Sequence, residues 1–480
     1  MPMMNKTQYL ESMKNLKPNL YAFGKKIDNL LEFPPTRANI NAISLTYELA
    51  PERPILRAKS HLTGNEISRF LQIQLTKEDL FKRIELMRWL TPQHGGCVGA
   101  RCVGCDALQA VFATSYDIDA AKGTHYHENF KNWLKMCEEK DLSVAGCMTD
   151  IKGDRNLKPG KQPDPDSFVH VVERRKDGII VRGAKAHMSG APVTHELLVM
   201  PTENMTEGDA DYALSFACPS YAPGVTQIFE APAGNFRWLV GEGMDLGNPK
   251  YGIHGASLLV FDNVFIPWER VFMCGEYEFS GSLVLRFADQ HRFTFSACKT
   301  GHCDLMAGAC TLAAEMLGTE KVSHVRDKIT EICEMAESCY GNVIASAALC
   351  NQTPAGTYVP NTIYVNIAKI QGIKAVYRAG EIGADIAGGL VCTQPSEADF
   401  KNPVTGPIIE KYLTAKEGYS ARERVKVLRF IEYGMGGGSV IPPESLLGGG
   451  TPVACRLMVR LNTAGNVKYA KECVKKIIDL

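Results

Sequence analysis

Two segments carry the side chains of this sequence best suited to hold iron. The first, HGGCVGARCVGCDAL at 94–108, offers Cys97, Cys102 and Cys105 with Gly95, Gly96, Gly99 and Gly104 between them. Thiolates are soft ligands for iron–sulfur clusters or zinc, and glycines let backbone approach a bulky inorganic group. The spacing C-x4-C-x2-C is like ferredoxin-type runs, in which short gaps deliver sulfurs to neighbouring irons; a glycine-loosened turn with buried thiols fits it equally well. In the second, HRFTFSACKTGHCD at 291–304, His291 and Cys298 are seven residues apart. That is two helical turns, so on a helix they share a face. At ~1.5 Å per residue their Cα atoms lie about 10.5 Å apart, a span that brackets a cluster but not a single zinc ion. His302 and Cys303 are further candidates, and a hydrogen-bonded core histidine is the plainer account of such a position.

Two more regions could handle a cofactor or a proton. CMTDIKGDR (147–155) and RGAKAHMSGAPVTHE (182–196) are rich in glycine, small hydroxyls and charge, and could present backbone N–H groups to phosphate or a flavin ring. By pattern alone they read as hairpin loops. No G-x-G-x-x-G follows a strand and no G-x-x-x-x-G-K-[ST] occurs, so neither a Rossmann nor a P-loop site is supported. Glu444, in VIPPESLLGGGTPV, stands between a Pro-Pro break and a glycine run. A carboxylate on such a loop can be a general base, although a solvated turn residue is commoner. DIAGGLVCTQPSEADF (385–400) has similar character.

The elements that must position these residues fall into three stretches. Residues 1–141 read as mostly helical: TKEDLFKRIELMRWL (76–90) spaces Leu80, Ile84, Leu86, Met87 and Leu90 along a helical face, with Thr76 and Asp79 as a capping box. Residues 142–275 read as short strands, with a hairpin over 167–189 that turns at Lys176-Asp177-Gly178. Residues 276–480 return to the helical period. The 480 residues hold 53 Lys+Arg and 53 Asp+Glu, and this neutrality argues against nucleic acid or an anionic membrane as partner. The N-terminus lacks the apolar h-region of a secretory signal, and no run reaches the ~20 apolar residues of a membrane span. A cytoplasmic location is therefore expected, in which the 16 cysteines stay reduced.

Taken in order, TYELA, RCVGCDA, TDIKGDR, RGAKAH, SFACPS, VFDNVFIP, RFADQHR with Cys298, AGG with PSEADF, and KVLRF resemble the 4-hydroxybutyryl-CoA dehydratases of the 4-hydroxyphenylacetate 3-hydroxylase family. The resemblance covers essentially the whole chain. It implies an α+β fold similar to acyl-CoA dehydrogenases, with an N-terminal helical domain, a central β domain and a C-terminal helical bundle. It further implies a homotetramer with FAD near subunit boundaries and one [4Fe–4S] cluster. Carried over by position, the cluster ligands are Cys97, Cys102, His291 and Cys298, with an iron weakly held on the histidine side and open to a substrate oxygen. Flavin contacts fall to Thr149, Asp150, Arg155, the Ala186-His187-Met188-Ser189 stretch, Gly388 and Gly389. His291 and Glu444 become acid/base groups, and Lys299 stands beside the cluster. The implied activity is radical dehydration of a 4-hydroxyacyl-CoA to an enoyl-CoA, with vinylacetyl-CoA Δ-isomerisation. Loss of an α-proton and one electron to FAD makes the C3 hydrogen acidic, and iron helps the hydroxyl leave.

The chain departs from that pattern. The family spaces its first two cluster cysteines C-x3-C, whereas Cys97 and Cys102 are C-x4-C, so either the loop bulges or Cys105 replaces one of them. Phe295 stands where a tyrosine is expected, Ala256 where a glutamate is, and Ser189 where a threonine is. A more apolar pocket weakens the grip on a 4-hydroxyl. A 3-enoyl-CoA isomerase without dehydratase activity is thus the nearest alternative. A reduced-flavin aromatic monooxygenase would need neither the cysteines nor His291, and a catalytically silent flavoprotein scaffold is the non-enzymatic alternative.

Overall fold

The computed structural model describes residues 3–480. Five helices come first: α1 (Lys6–Asn15), α2 (Pro34–Glu48), α3 (Lys77–His94), α4 (Gly99–Lys122) and α5 (Tyr126–Glu139). Among them lie the short strands β1 (Leu20–Ala22), β2 (Lys25–Lys26), β3 (Arg57–Lys59) and β4 (Glu66–Ser68). As the pattern predicts, α3 opens on a Thr76–Asp79 capping box, and it stops at Gly95, whose φ of 57° is the left-handed conformation that glycine adopts without strain. The strands β5 (Val144–Cys147), β6 (His170–Arg174), β7 (Gly178–Ser189), β8 (Glu196–Val199), β9 (Leu214–Pro219), β10 (Val225–Phe229), β11 (Ala256–Pro267) and β12 (Val271–Cys274) follow, with one single-turn helix, α6 (Arg237–Val240), between β10 and β11.

These strands form two sheets, one ordered β2-β1-β10-β11-β7-β6 and the other β12-β9-β8-β5. The hairpin read from the sequence is present, with Val171 opposite Val181 in β6 and β7. One feature departs from the sequence reading. Strand β1, from the stretch read as helical, joins the larger sheet parallel to β10, with Leu20 opposite Gln227. The sheets share a core in which Phe216 and Phe261 meet edge to face at 5.6 Å between centroids.

Helix α7 (Ser280–Leu317) then begins a bundle with α8 (Ser323–Ala348) and α9 (Thr362–Ala387); the two-residue strands β13 (Asn351–Gln352) and β14 (Tyr358–Val359) pair between the last two. Shorter helices follow, namely α10 (Glu397–Lys401), α11 (Thr405–Tyr412), α12 (Ala421–Gly434) and α13 (Ile441–Leu447), before the long α14 (Pro452–Ile477). At 38 residues α7 is about 57 Å long, and it packs on α3, α4, α8, α9 and α12. It makes most of the contact between the leading helices and the bundle, with Arg88 of α3 reaching Glu337 of α8 beside it. No helix of the described residues is long and apolar enough to cross a membrane. This arrangement is an α+β fold with helices, sheets and a helical bundle in that order.

Helix α4 lies close against β5. A Cβ built on Gly104 would sit 1.9 Å from the Val144 carbonyl oxygen, so only glycine permits the contact. Gly104→Ala is expected to destabilise the protein by about 1–3 kcal/mol, the usual cost of overpacking, because backbone rather than a movable side chain must give way. Thermal unfolding against the parent chain measures it; an unchanged midpoint would refute the close packing.

Candidate active site

Three cysteines, from α7, from α4 and from the turn before α4, line one cavity of about 40 Å³. Cys97 lies in the turn before α4, Cys102 in the first turn of α4, and Cys298 midway along α7. The turn can approach its neighbours because it lacks side chains: a Cβ on Gly96 would meet Tyr251 O at 2.0 Å, and one on Gly99 would meet Ser189 Cβ at 2.7 Å. Where the sequence suggested a loosened turn across the whole segment, only 95–98 is loop and the rest is helix. Burial, then nearby acidic groups, pushes the Cys97 and Cys102 thiols above their ordinary range. Bare, they are neutral; a bound cation reverses that preference. Cys105 does not line the cavity, and its Sγ rests 3.9 Å from Gln109 Nε2.

His291 and Cys298 share α7, as their spacing requires. His291 Nδ1 lies 3.0 Å from Asp106 Oδ2, and Thr294 Oγ1 donates to Asp106 Oδ1 at 2.6 Å. With Nδ1–H given to the carboxylate, His291 Nε2 keeps its lone pair, the arrangement metal-ligating histidines use. His94, which also lines the cavity, is the reverse. Its Nδ1 accepts from Gly96 N–H at 2.9 Å, so its Nε2 carries the proton, and that atom is buried without a partner. His94 is therefore a donor to whatever fills the cavity, and burial depresses its pKa to about 4.

Opposite the thiols, Lys299 Nζ donates to Glu444 Oε2 at 2.5 Å. Glu444 is not on a loop, as read from the sequence, but in the first turn of α13, whose Pro442 and Pro443 suit a helix start. Burial opposes ionisation of Glu444, yet Lys299, with His254 behind it, outweighs burial and holds the carboxyl at about 2. Glu444 in turn keeps Lys299 protonated against burial.

The residues expected to contact flavin are only partly brought together. Thr149 O accepts from Ala186 N–H at 2.8 Å, joining the two segments, but Ala186–Ser189 end strand β7 rather than form a loop. His187 is exposed there at φ 61°. The Asp150 carboxylate is occupied by Lys185 at 2.7 Å and Thr202 at 2.6 Å, and Arg155 is exposed. Gly388 and Gly389 lie exposed just past α9, about 29 Å of helix from Lys369 near the cavity. Ser189 is the residue of this group tied to the cavity: its Oγ is 2.9 Å from His254 Nε2. Asp106, His94, His254 and Glu230 escaped sequence reasoning; of these only His94, inside HGGC, carried a local signal.

These donors fit an iron–sulfur group better than one ion. Among the described residues no three His, Cys, Asp or Glu side chains sit close enough to hold a single metal ion. The thiols instead line a shared space to which His94 brings one orphaned N–H, while His291, two turns before Cys298 on α7, is not among its lining residues.

Two family descriptions match the chain, 4-hydroxyphenylacetate 3-hydroxylase N terminal over residues 5–273 and C terminal over 280–479. A 4-hydroxybutyryl-CoA dehydratase/vinylacetyl-CoA-Delta-isomerase of Clostridium aminobutyricum is 42% identical over 489 residues, covering 99% of both chains. An oxygen-tolerant archaeal 4-hydroxybutyryl-CoA dehydratase from N. maritimus superposes with a TM-score of 0.96 at 36% identity, over 100% of this chain and 95% of that one. The oxygenase component of a 4-hydroxyphenylacetate 3-monooxygenase, complexed with FAD, follows at 0.86 and 26%, over 99% of each. A glutaryl-coenzyme A dehydrogenase, at 0.52 and 14% over 81% of each chain, shares the fold alone.

Removing one partner of the Lys299–Glu444 pair strands a charge at a buried wall. Glu444→Gln is expected to cost about 3 kcal/mol, and the double variant Lys299→Met/Glu444→Gln to regain most of it. Denaturant unfolding of the two variants decides this; equal losses would mean the pair is not coupled.

Proposed function

Because the chain belongs to the 4-hydroxyphenylacetate 3-hydroxylase family, a flavin-binding family, we propose that it dehydrates a 4-hydroxyacyl-CoA, such as 4-hydroxybutyryl-CoA, to an enoyl-CoA and isomerises vinylacetyl-CoA. The observation that carries this reading is the convergence of Cys97, Cys102 and Cys298 on the cavity that also holds Lys299 and Glu444. An aromatic monooxygenase has no use for these thiols. When bound, FAD supplies one-electron oxidation of the acyl thioester and a [4Fe–4S] cluster supplies a Lewis-acidic iron for the departing hydroxyl. Cys97, Cys102 and Cys298 would hold the cluster with His291, whose free Nε2 is kept in place by Asp106.

The chain's own residues then have distinct tasks. His291 would be the acid/base group of the dehydration, and the Glu444 carboxylate, held ionised by Lys299, would fix that ammonium. Lys299, kept charged, supplies fixed positive potential where the thioester oxygen gains negative charge as C2 loses its proton. Thr149, Asp150, Arg155, Ala186, His187 and Ser189 would border the flavin. Gly388 and Gly389 lie exposed just past the end of α9, which favours a flavin shared between copies. The exposed Val453, Leu457, Leu461, Val467, Tyr469 and Val474 of α14 support the same view, since this helix fully buries only Cys455 within its own chain. A homotetramer is the assembly proposed.

Phe295 favours a second reading, isomerase without dehydratase activity. Its ring packs under Lys369 and Lys299, 3.4 and 4.9 Å from centroid to Nζ, and offers no hydroxyl. Isomerisation releases no hydroxide and survives that loss better.

Anaerobic purification is expected to give about four irons, as many sulfides and one FAD per chain. Flavin without iron would return the monooxygenase reading. His291→Ala should abolish turnover while FAD stays bound, and full activity in it would end the assignment. Cys105→Ala should keep its iron where Cys97→Ala loses it. A panel of 4-hydroxyacyl and 3-enoyl CoA thioesters then separates the two readings by product analysis.

A further inference from the structure

Shifting a double bond from C3–C4 to C2–C3 of an acyl thioester takes a proton off C2 and puts one on C4. A group at the site must hold that proton in between. Most titratable groups lining the cavity are unsuited. Glu444 is locked as a carboxylate by Lys299, and Lys299 keeps its proton for the same reason. Tyr433 spends its hydroxyl on Gly95 O at 2.8 Å. His94 has its acceptor nitrogen committed to Gly96 N–H. The cysteines and His291 are assigned to iron in the reading above, and His291 is not among the residues lining the cavity.

His254 is the exception. Its Nδ1 faces Glu230 Oε2 at 3.0 Å, and its Nε2 faces Ser189 Oγ at 2.9 Å. Glu230 is itself fixed: Oε1 accepts Gly255 N–H at 2.9 Å, and its backbone N–H donates to Ala256 O at 2.9 Å. Gly190 N–H donates to Gly255 O at 2.9 Å, so the Ser189 and His254 segments are stitched together as well. Glu230 thereby sets the tautomer, leaving Nε2 as the exchangeable site with a serine hydroxyl as its resting partner. Position 256, where the family pattern has a carboxylate, begins the strand just past this histidine and carries only a methyl group.

We propose that His254, oriented by Glu230, is the proton carrier of this pocket. The proton on C2 moves to His254 Nε2, displacing the Ser189 hydrogen bond while the C–H electron pair stays on the substrate. The same proton then forms the C4–H bond, and the imidazole returns neutral to Ser189. No oxidant or reductant is consumed by this transfer. The inference rests on the isomerase part of the function proposed above. The charged and titratable groups facing His254 are Glu230, His187 from β7, Glu444 from α13 and Lys299 from α7. Burial lowers its pKa, but the two carboxylates outweigh burial and leave it raised.

The test uses holoenzyme and vinylacetyl-CoA in deuterated water, with product label read by mass spectrometry. In the wild type, C4 should gain less deuterium than full exchange with solvent would give. His254→Gln should slow isomerisation by about 100-fold or more, the usual worth of a proton-transfer group, with iron and flavin content unchanged. Glu230→Gln keeps the shape but removes the charge that raises the His254 pKa, so the acidic limb of its pH–rate profile should move to lower pH. Wild-type rate and labelling in His254→Gln, or an unmoved profile in Glu230→Gln, would overturn the proposal. A wild-type holoenzyme that isomerises no thioester in the panel would sink the functional reading and this inference with it, whereas active wild type with indifferent variants would sink this inference alone.

Discussion

The site depends on one buried carboxylate. Asp106 sits on α4, one turn after Cys102, and is 1% exposed. It accepts from His291 and Thr294 of α7, and Arg83 of α3 approaches it at 3.8 Å while donating to Cys102 O at 3.1 Å. A charge so far from water persists only when its lone pairs are filled. Filling them fixes three helices and, with them, the relative positions of Cys102, His291 and Cys298. Farther along the same two helices Arg286 of α7 donates to Thr114 and Asp117 of α4, and Asp106 adds the polar tie at the level of the thiols.

Much of this was legible along the chain because it is local. The Thr76 capping box, the β6–β7 hairpin and the two-turn spacing of His291 and Cys298 each follow from periods of a few residues. Longer-range partners left no such trace. Asp106 and His291 are 185 residues apart, and Ser189 and His254 are 65 apart. Nothing in the local windows of Asp106 or His254 distinguishes them from ordinary surface or core polar groups. Glu444 was misjudged for a different reason: two prolines before a glutamate look like a broken loop, yet proline suits the first helical turn, where its missing N–H costs nothing. The Ala186–Ser189 stretch looked like a loop because of its composition, but pairing with β11 makes it strand.

The apolar substitutions read from the sequence also acquire a physical setting. Phe295 is not a gap in a polar pocket but a platform. Burial lowers the Lys369 pKa to about 7, and its Nζ both rests on the Phe295 ring and donates to Ser445 O at 2.6 Å. An aromatic face stabilises a cation without offering a proton. The wall beneath Lys299 therefore holds two amino groups over an aromatic face where a phenol would have offered a hydroxyl.

The glycine turn before α4 bears on the order of events in the cell. Its residues are held by Asn39, Ser189, Asn248, Tyr251 and Tyr433, and the cavity it borders is closed by Glu444. Contacts that reach from near the first residues to near the last cannot form until almost the whole chain has left the ribosome, and closing such loops is slow. A cluster held as proposed at Cys97 would in consequence be loaded late, on a nearly finished protein.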